Sequence, residues 1–337
     1  MQLIECVPNF SEGRNLSSVE SISRAIVGVK GVHLLDVDSN ASANRTVMTF
    51  VGEAGAVCEA AFQAIAVAQS LIDMRSQRGA HPRIGATDVC PLVPLADASM
   101  QQCIELSHKL SARVASELEI PVYLYAKSAK RPERRKLAFL RKGQYEALKK
   151  RIEKENFAPD YGPNIFNARA GATAIGARDL LIAFNINLAT TSREIAEKIA
   201  RQIRRAREED QVGALPECTA LGWYIEEYKC AQVSMNIMDY RKTSLHGAFL
   251  EVKRLATELE TSVTGSEVIG LLPLQPLLET GRYCLGSSKN KESADQLISE
   301  AIDFLNLGDT RPFDPQKKVL DYRLQNLPPL RNMTPSS

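Results

Sequence analysis

Asp88-Val89-Cys90-Pro91-Leu92-Val93-Pro94-Leu95 returns later in the chain as Glu267-Val268-Ile269-Gly270-Leu271-Leu272-Pro273-Leu274. Each copy is an acid followed by an extended apolar run whose prolines suit an edge or a strand end. Working outward, both copies have the same neighbours. Upstream of each lies a helical stripe at spacings of three and four: Val57, Ala60, Ala61, Ala64, Ile65, Ala68 and Ile72 in one case, and Leu245, Ala248, Phe249, Val252, Leu255, Ala256 and Leu259 in the other. Before each stripe stand two strands, at 32–37 and 46–51 and again at 221–225 and 231–238. Before those comes a strand that leads into a capped helix. The first is 3–10 followed by Ser17-Ser18-Val19-Glu20, and the second is 180–188 followed by Thr191-Ser192-Arg193-Glu194. Each half closes with a helix, at 99–117 and 294–305.

The repeated order predicts an α/β protein of the α+β sandwich type. It has two related βαββαβ(α) subdomains, each a mixed sheet covered by helices, side by side around a cleft. The expected boundaries are 1–177 and 178–324, with a disordered Pro- and Ser-bearing tail at 325–337. Residues 126–178, a basic run followed by Pro159-Asp160-Tyr161-Gly162-Pro163-Asn164-Ile165-Phe166, read as a linker or a binding loop.

Composition narrows the function. The 337 residues, 44% hydrophobic and 24% charged, suit two packed units, and a net charge of +2 gives no general attraction to nucleic acid or acidic membranes. Seven scattered cysteines without a C-x-x-C pair read as reduced thiols. The N-terminus lacks the pattern of a signal peptide, and no stretch approaches the roughly 20 apolar residues of a membrane span. A cytoplasmic location is therefore expected. Gly171-Ala172-Thr173-Ala174-Ile175-Gly176 lacks the Lys-Ser/Thr of a phosphate loop, and the four histidines show no metal-ligand spacing, so neither a nucleotide nor a metal is expected. Most of the positive stretch 127–136, with Arg141 and Lys142 after it, reads as a solvated helix face.

One histidine stands apart. Arg75-Ser76-Gln77-Arg78-Gly79-Ala80-His81-Pro82-Arg83-Ile84-Gly85-Ala86-Thr87-Asp88 places an imidazole among three arginines on a loop before a strand. Arginines of this kind grip carboxylates in a bidentate way. From spacing alone, the same segment also reads as a surface histidine beside solvated arginines. His33 and His108 read as structural, and His246 as a helix-start residue.

Several longer segments carry a resemblance: Glu5-Cys6-Val7-Pro8-Asn9-Phe10-Ser11-Glu12-Gly13-Arg14, Leu34-Leu35-Asp36-Val37-Asp38 with Asn44-Arg45-Thr46, the His81 segment, and Phe184-Asn185-Ile186-Asn187-Leu188. With these the chain, to about Tyr322, resembles the glutamate formimidoyltransferase family, the formiminotransferase part of the bifunctional formimidoyltransferase-cyclodeaminases. The resemblance implies His81 as catalytic acid/base and a folate contact at Gly162-Pro163-Asn164-Ile165-Phe166-Asn167-Ala168-Arg169-Ala170-Gly171. Ala168-Arg169-Ala170 stand where vertebrate members carry Pro-Ser-Trp, a difference in the folate segment itself. It also implies N-formimidoyl-L-glutamate and tetrahydrofolate as substrates, a homodimer, and a separate cyclodeaminase for ring closure. Arg45 and Arg83 are expected, on chemical grounds, to hold the glutamate carboxylates, the Lys127–Arg135 flank to attract the folate tail, and Tyr161 or Phe166 to stack on the pteridine. Two alternatives keep the fold: an N-formylglutamate formyltransferase, whose donor differs only by O for NH, and a folate-binding protein without catalysis.

Overall fold

The computed structural model describes residues 2–209, 214–286 and 292–327. Two compact units divide the chain, Met1–Asp179 and Leu180–Leu327. The first contains β1 (Gln2–Cys6), β2 (Asn9–Phe10), α1 (Leu16–Val27), β3 (Val32–Asn40), β4 (Arg45–Gly52), α2 (Ala54–Leu71), β5 (Thr87–Ala96), α3 (Met100–Leu118), β6 (Val122–Ala126), α4 (Leu137–Arg141), α5 (Gln144–Ile152) and β7 (Thr173–Ala177). The second contains β8 (Ile182–Leu188), α6 (Arg193–Glu208), β9 (Cys218–Ile225), β10 (Cys230–Ile237), α7 (Leu245–Glu258), β11 (Val263–Ile269), α8 (Leu274–Leu285), α9 (Ala294–Leu305), α10 (Pro315–Lys318) and α11 (Leu320–Gln325).

The two sheets share a topology. In the first, β1 and β2 form one broken line between β4 and β5, and β3 flanks β4. In the second, β8 lies between β10 and β11, and β9 flanks β10. Both therefore run in the order third, first, fourth… of a split βαβ pair, where each helical crossover skips a strand antiparallel to its neighbours. As a result every strand pairing among the described residues of the second unit is antiparallel, whereas a mixed sheet was expected there. Among the described residues, parallel strand pairing occurs in the first unit, where β7 joins β5 and β6 joins β7, while the second unit has one isolated parallel bridge, between Leu272 and Val319. β6 and β7 fall partly in the segment read as a linker. Their residues are buried on both faces, and such strands lack the alternation by which the others are recognised.

Periodicity sets which face is covered. Ile4, Cys6, Phe10, Met48, Phe50, Cys90 and Leu92 point to one side of the first sheet and pack on Val19, Ile22 and Ile26 of α1, on the stripe of α2 and on Leu110 and Val114 of α3. α2 is apolar and long enough, by composition, to cross a membrane, contrary to the sequence expectation. Its Val57, Ala60, Ala61, Ala64, Ile65 and Ala68 belong to this core. On the opposite side, Leu140 of α4, Leu148 of α5 and Phe157 cover Val89, Tyr123, Tyr125 and Ala174.

Local signals behave unevenly. The capping box at Ser99 and Gln102 is present in both directions. α1 starts earlier than expected, because Asn15 rather than Ser17 accepts the Ser18 amide at 3.2 Å. The stretch 267–274 is split between β11 and the first residue of α8, so a further helix precedes the expected closing helix at 294–305. Of the expected tail at 325–337, Gln325 ends α11, and residues 328–337 lie outside the described residues.

In the second unit α6 lies directly on β9 at Gly222, where an added Cβ would stand 2.0 Å from the Glu197 amide nitrogen and 2.3 Å from the Ala196 carbonyl carbon. Gly222→Ala is expected to cost about 1–3 kcal/mol in urea unfolding by forcing the helix off the strand. A midpoint equal to that of the parent protein would show that the helix is not seated on this glycine.

Candidate active site

His81 sits in the connection between α2 and β5, and the turn between β3 and β4 pins that connection in place. Gln77 Nε2 donates to Asn44 O at 3.1 Å, Asn44 Nδ2 donates to Arg78 O at 2.8 Å, and Ala80 N donates to Ser42 O at 3.1 Å. Gly79 admits the contact, since a Cβ there would stand 2.2 Å from Ala43 O. The half-buried imidazole is oriented by its own backbone: Nδ1 lies 2.7 Å from Pro82 O. A carbonyl only accepts, so Nδ1 carries the hydrogen and Nε2 is the basic nitrogen.

The three arginines near His81 in sequence serve the loop itself. Arg75 is paired with Asp73, and Arg78 donates to Arg75 O at 3.1 Å and Gln77 O at 2.7 Å. Arg83, expected to hold a substrate carboxylate, is buried with all five N–H groups used. It donates to Gln77 Oε1 (2.7 Å), Gln77 O (3.1 Å), Gln144 Oε1 (3.0 Å) and the two Glu146 oxygens (2.8 and 2.7 Å). It has no donor left for a ligand, and its place is structural.

The cations that act on His81 come from distant segments. Arg45 of β4 pairs with Asp88 at 2.9 Å and donates to Asn9 Oδ1 from Nε (3.0 Å) and Nη2 (2.8 Å). Arg141, at the end of α4, also binds Asp88, whose other oxygen accepts the Ile84 amide at 2.9 Å. Arg45 is 7% exposed, and its Nη1 has no hydrogen-bond partner. One buried guanidinium therefore keeps donors for an anion beside the imidazole. Burial would raise Asp88, but Arg141 and then Arg45 hold it well below the usual carboxylate range. Burial, then Arg45 and Arg141, drive His81 well below its ordinary 6.5, against the opposing Asp88 charge and the Pro82 bond. The imidazole is thus neutral at neutral pH.

The segment 162–171 reaches the same loop. Ala86 N donates to Ala170 O at 2.8 Å and Ala172 N to Ile84 O at 3.0 Å, and Gly85 bridges Gly171. Gly171 has φ +69°, and a Cβ on it would stand 2.2 Å from Ile84 O. Asn167 Oδ1 accepts the amides of Arg169 (3.2 Å) and Ala170 (2.9 Å), while Gly162, Asn164, Ile165, Ala168 and Arg169 are exposed. Of the two rings expected to stack on a ligand, Tyr161 is engaged by His108 through its hydroxyl (2.9 Å) and lies under Lys130. Phe166 rests on Tyr145, with centroids 5.4 Å apart. Most of the basic run is exposed, as expected, but Arg134 is fully buried on Asp160 (2.6 Å) and Arg141 is the Asp88 partner already described. Asn9, Asp88 and Arg141 were legible only as parts of longer motifs or of the charge run. Among the described residues no three His, Cys, Asp or Glu side chains gather as metal ligands.

Comparison with known proteins matches residues 3–178 to the formiminotransferase domain, N-terminal subdomain, and residues 183–325 to the formiminotransferase domain. A glutamate formimidoyltransferase of Streptococcus pyogenes serotype M1 is 44% identical over 84% of this chain and 93% of its own length. The one from Thermoplasma acidophilum is 45% identical over 85% and 93%. The mouse formimidoyltransferase-cyclodeaminase is 43% identical over the whole chain, which spans 62% of that protein.

Removing the charge of Asp88 leaves two buried cations facing each other, so Asp88→Asn is expected to cost about 3–5 kcal/mol at pH 7 in urea unfolding. The folded pKa of Asp88 lies below the unfolded one. Its contribution is therefore complete above the unfolded value of about 3.9 and is lost as pH falls toward the folded one, and the gap between variant and parent narrows in acid. A pH-independent gap would contradict this account of the cluster.

Proposed function

The chain belongs to the formiminotransferase family, and from that premise we propose that it transfers the formimidoyl group of N-formimidoyl-L-glutamate to N5 of tetrahydrofolate, a step of histidine degradation. The products are 5-formimidoyltetrahydrofolate and glutamate. The observation that carries the reading is the pairing of an oriented, neutral imidazole with a buried guanidinium that still has donors to give. The near-complete coverage of two proteins named glutamate formimidoyltransferase supports it.

In this reading N5 attacks the formimidoyl carbon and a tetrahedral adduct forms. His81 Nε2 takes the proton that N5 sheds and returns one to the glutamate nitrogen as the C–N bond breaks. A carboxylate of the donor seats on Arg45 Nη1. That contact offsets part of the guanidinium's repulsion and brings the imidazole back toward the range where one group both takes and gives a proton efficiently. Segment 162–171, tied by its backbone to the His81 loop, flanks the pteridine. Neither metal nor nucleotide takes part. The reading also includes a homodimer, supported by the resemblance, and a cytoplasmic location, an expectation from the sequence.

His81→Ala is expected to lower kcat by two or more orders of magnitude while folate affinity stays close to that of the parent protein. The assay couples tetrahydrofolate to N-formimidoyl-L-glutamate, with N-formyl-L-glutamate as the competing donor and a chelator as control. Near-normal turnover of the variant, preference for the formyl donor, or inactivation by chelation with recovery on zinc would each contradict the proposal.

A further inference from the structure

The first turn of α5 bonds to both parts of the site. Its opening residues Gln144, Tyr145 and Glu146 all bond to Arg83, which follows His81 and Pro82. Gln144 Oε1 and both Glu146 oxygens accept from the guanidinium, and the Tyr145 amide donates to Arg83 O at 2.9 Å. Gln144 does this from left-handed backbone, φ +56°, directly after Gly143 at φ +73°. That conformation strains a glutamine and not a glycine, so what the glutamine adds at this position is its bond to Arg83.

Tyr145 reaches further than its neighbours. Its hydroxyl donates to Ala168 O at 2.6 Å, and its ring lies on Phe166 with centroids 5.4 Å apart. One residue thus holds the His81 loop by its amide and the segment 162–171 by its side chain. That segment begins and ends on left-handed glycines, Gly162 at φ +87° and Gly171 at φ +69°, where the backbone is most permissive. The backbone bonds at Ala170 and Ala172 fix its C-terminal end to the His81 loop, and Tyr145 holds residues 166–168 farther out. A separate tie, from Arg169 to Gln69 O at 3.2 Å and Ser70 O at 2.5 Å, runs to the end of α2 instead. Ala168 is exposed, so water can take its carbonyl in place of the phenol. The bond therefore adds little to stability and chiefly fixes where that carbonyl stands.

Resting on the proposed folate chemistry, we infer that Tyr145 is a positioning residue for the transfer: it sets residues 166–168 of the folate segment against the His81 loop, and so governs where the pteridine lies relative to the imidazole. Tyr145 acts through Phe166 and Ala168, not on the reacting atoms. Its effect therefore falls on the binding of tetrahydrofolate, while the donor, seated on Arg45, does not sense it.

Tyr145→Phe keeps the ring on Phe166 and the amide on Arg83 O and removes only the hydroxyl. In the full chain it is expected to raise KM for tetrahydrofolate about fivefold, with kcat changed by less than about twofold and KM for N-formimidoyl-L-glutamate unchanged. Amide hydrogen exchange in the free protein gives a second readout, at Ala170 and Gly171, whose amides donate to Asn167 Oδ1 (2.9 Å) and Asn167 O (2.8 Å). Exchange there is expected to quicken about fivefold in the variant, with the urea midpoint unchanged. An unmoved KM for tetrahydrofolate, or equal changes in KM for both substrates, overturns the positioning role and leaves the folate reading in place. Unchanged exchange at both amides overturns that role as well. A parent protein that does not use tetrahydrofolate overturns the folate reading, and the role of Tyr145 with it.

Discussion

The buried ion cluster Arg45–Asp88–Arg141 is the interaction on which the site depends. It joins β4, β5 and the end of α4, and through Asp88 it also fixes the Ile84 amide in the loop that carries His81. Two cations share one carboxylate, so the cluster is net positive in a place that water does not reach freely. Such an arrangement favours an anion over a cation in its neighbourhood. Together with burial, the same excess charge keeps the imidazole neutral.

The two units share a strand topology and differ in the chemistry they carry on it. In the second unit the matching strands carry Asn187, Gln232 and Glu267. Gln232 Nε2 donates to Asn187 Oδ1 at 2.6 Å and to Glu267 Oε1 at 3.0 Å, and its own Oε1 accepts Trp223 Nε1 at 2.9 Å. Asn9 and Asn187 occupy the same place relative to β4 and β10. Where the first unit sets an arginine beside the asparagine, with donors unused, the second sets a glutamine whose amide is bonded on both sides. One copy therefore leaves Arg45 Nη1 without a hydrogen-bond partner, and in the other the glutamine amide is satisfied on both sides.

The repeat was legible because apolar residues at spacings of two and of three to four are dictated by burial on one face, and both units keep that rule. β6 and β7 were not, since strands covered on both faces lose the alternation that betrays a strand. Within the site, the Pro82-flanked His81 and the distant Arg45 were readable as residue types in unusual motifs. Arg83 misled for a physical reason. Proximity in sequence says nothing about which carboxylate a guanidinium meets, and Gln77, Gln144 and Glu146 had already taken every donor. Arg141 lay in a charge run that is mostly surface, and only the fold brings it to Asp88.

The proposed mechanism needs His81 to be held neutral by burial and its neighbours and to be returned toward protonation by the substrate. An NMR titration of the His81 imidazole, assigned by its loss in His81→Gln, tests this most directly. In the free protein the ring is expected to remain neutral at about pH 6, and addition of glutamate is expected to raise its proton affinity. A ring that titrates at or above 6.5 in the free protein, the ordinary value from which burial, Arg45 and Arg141 displace it, would contradict the account.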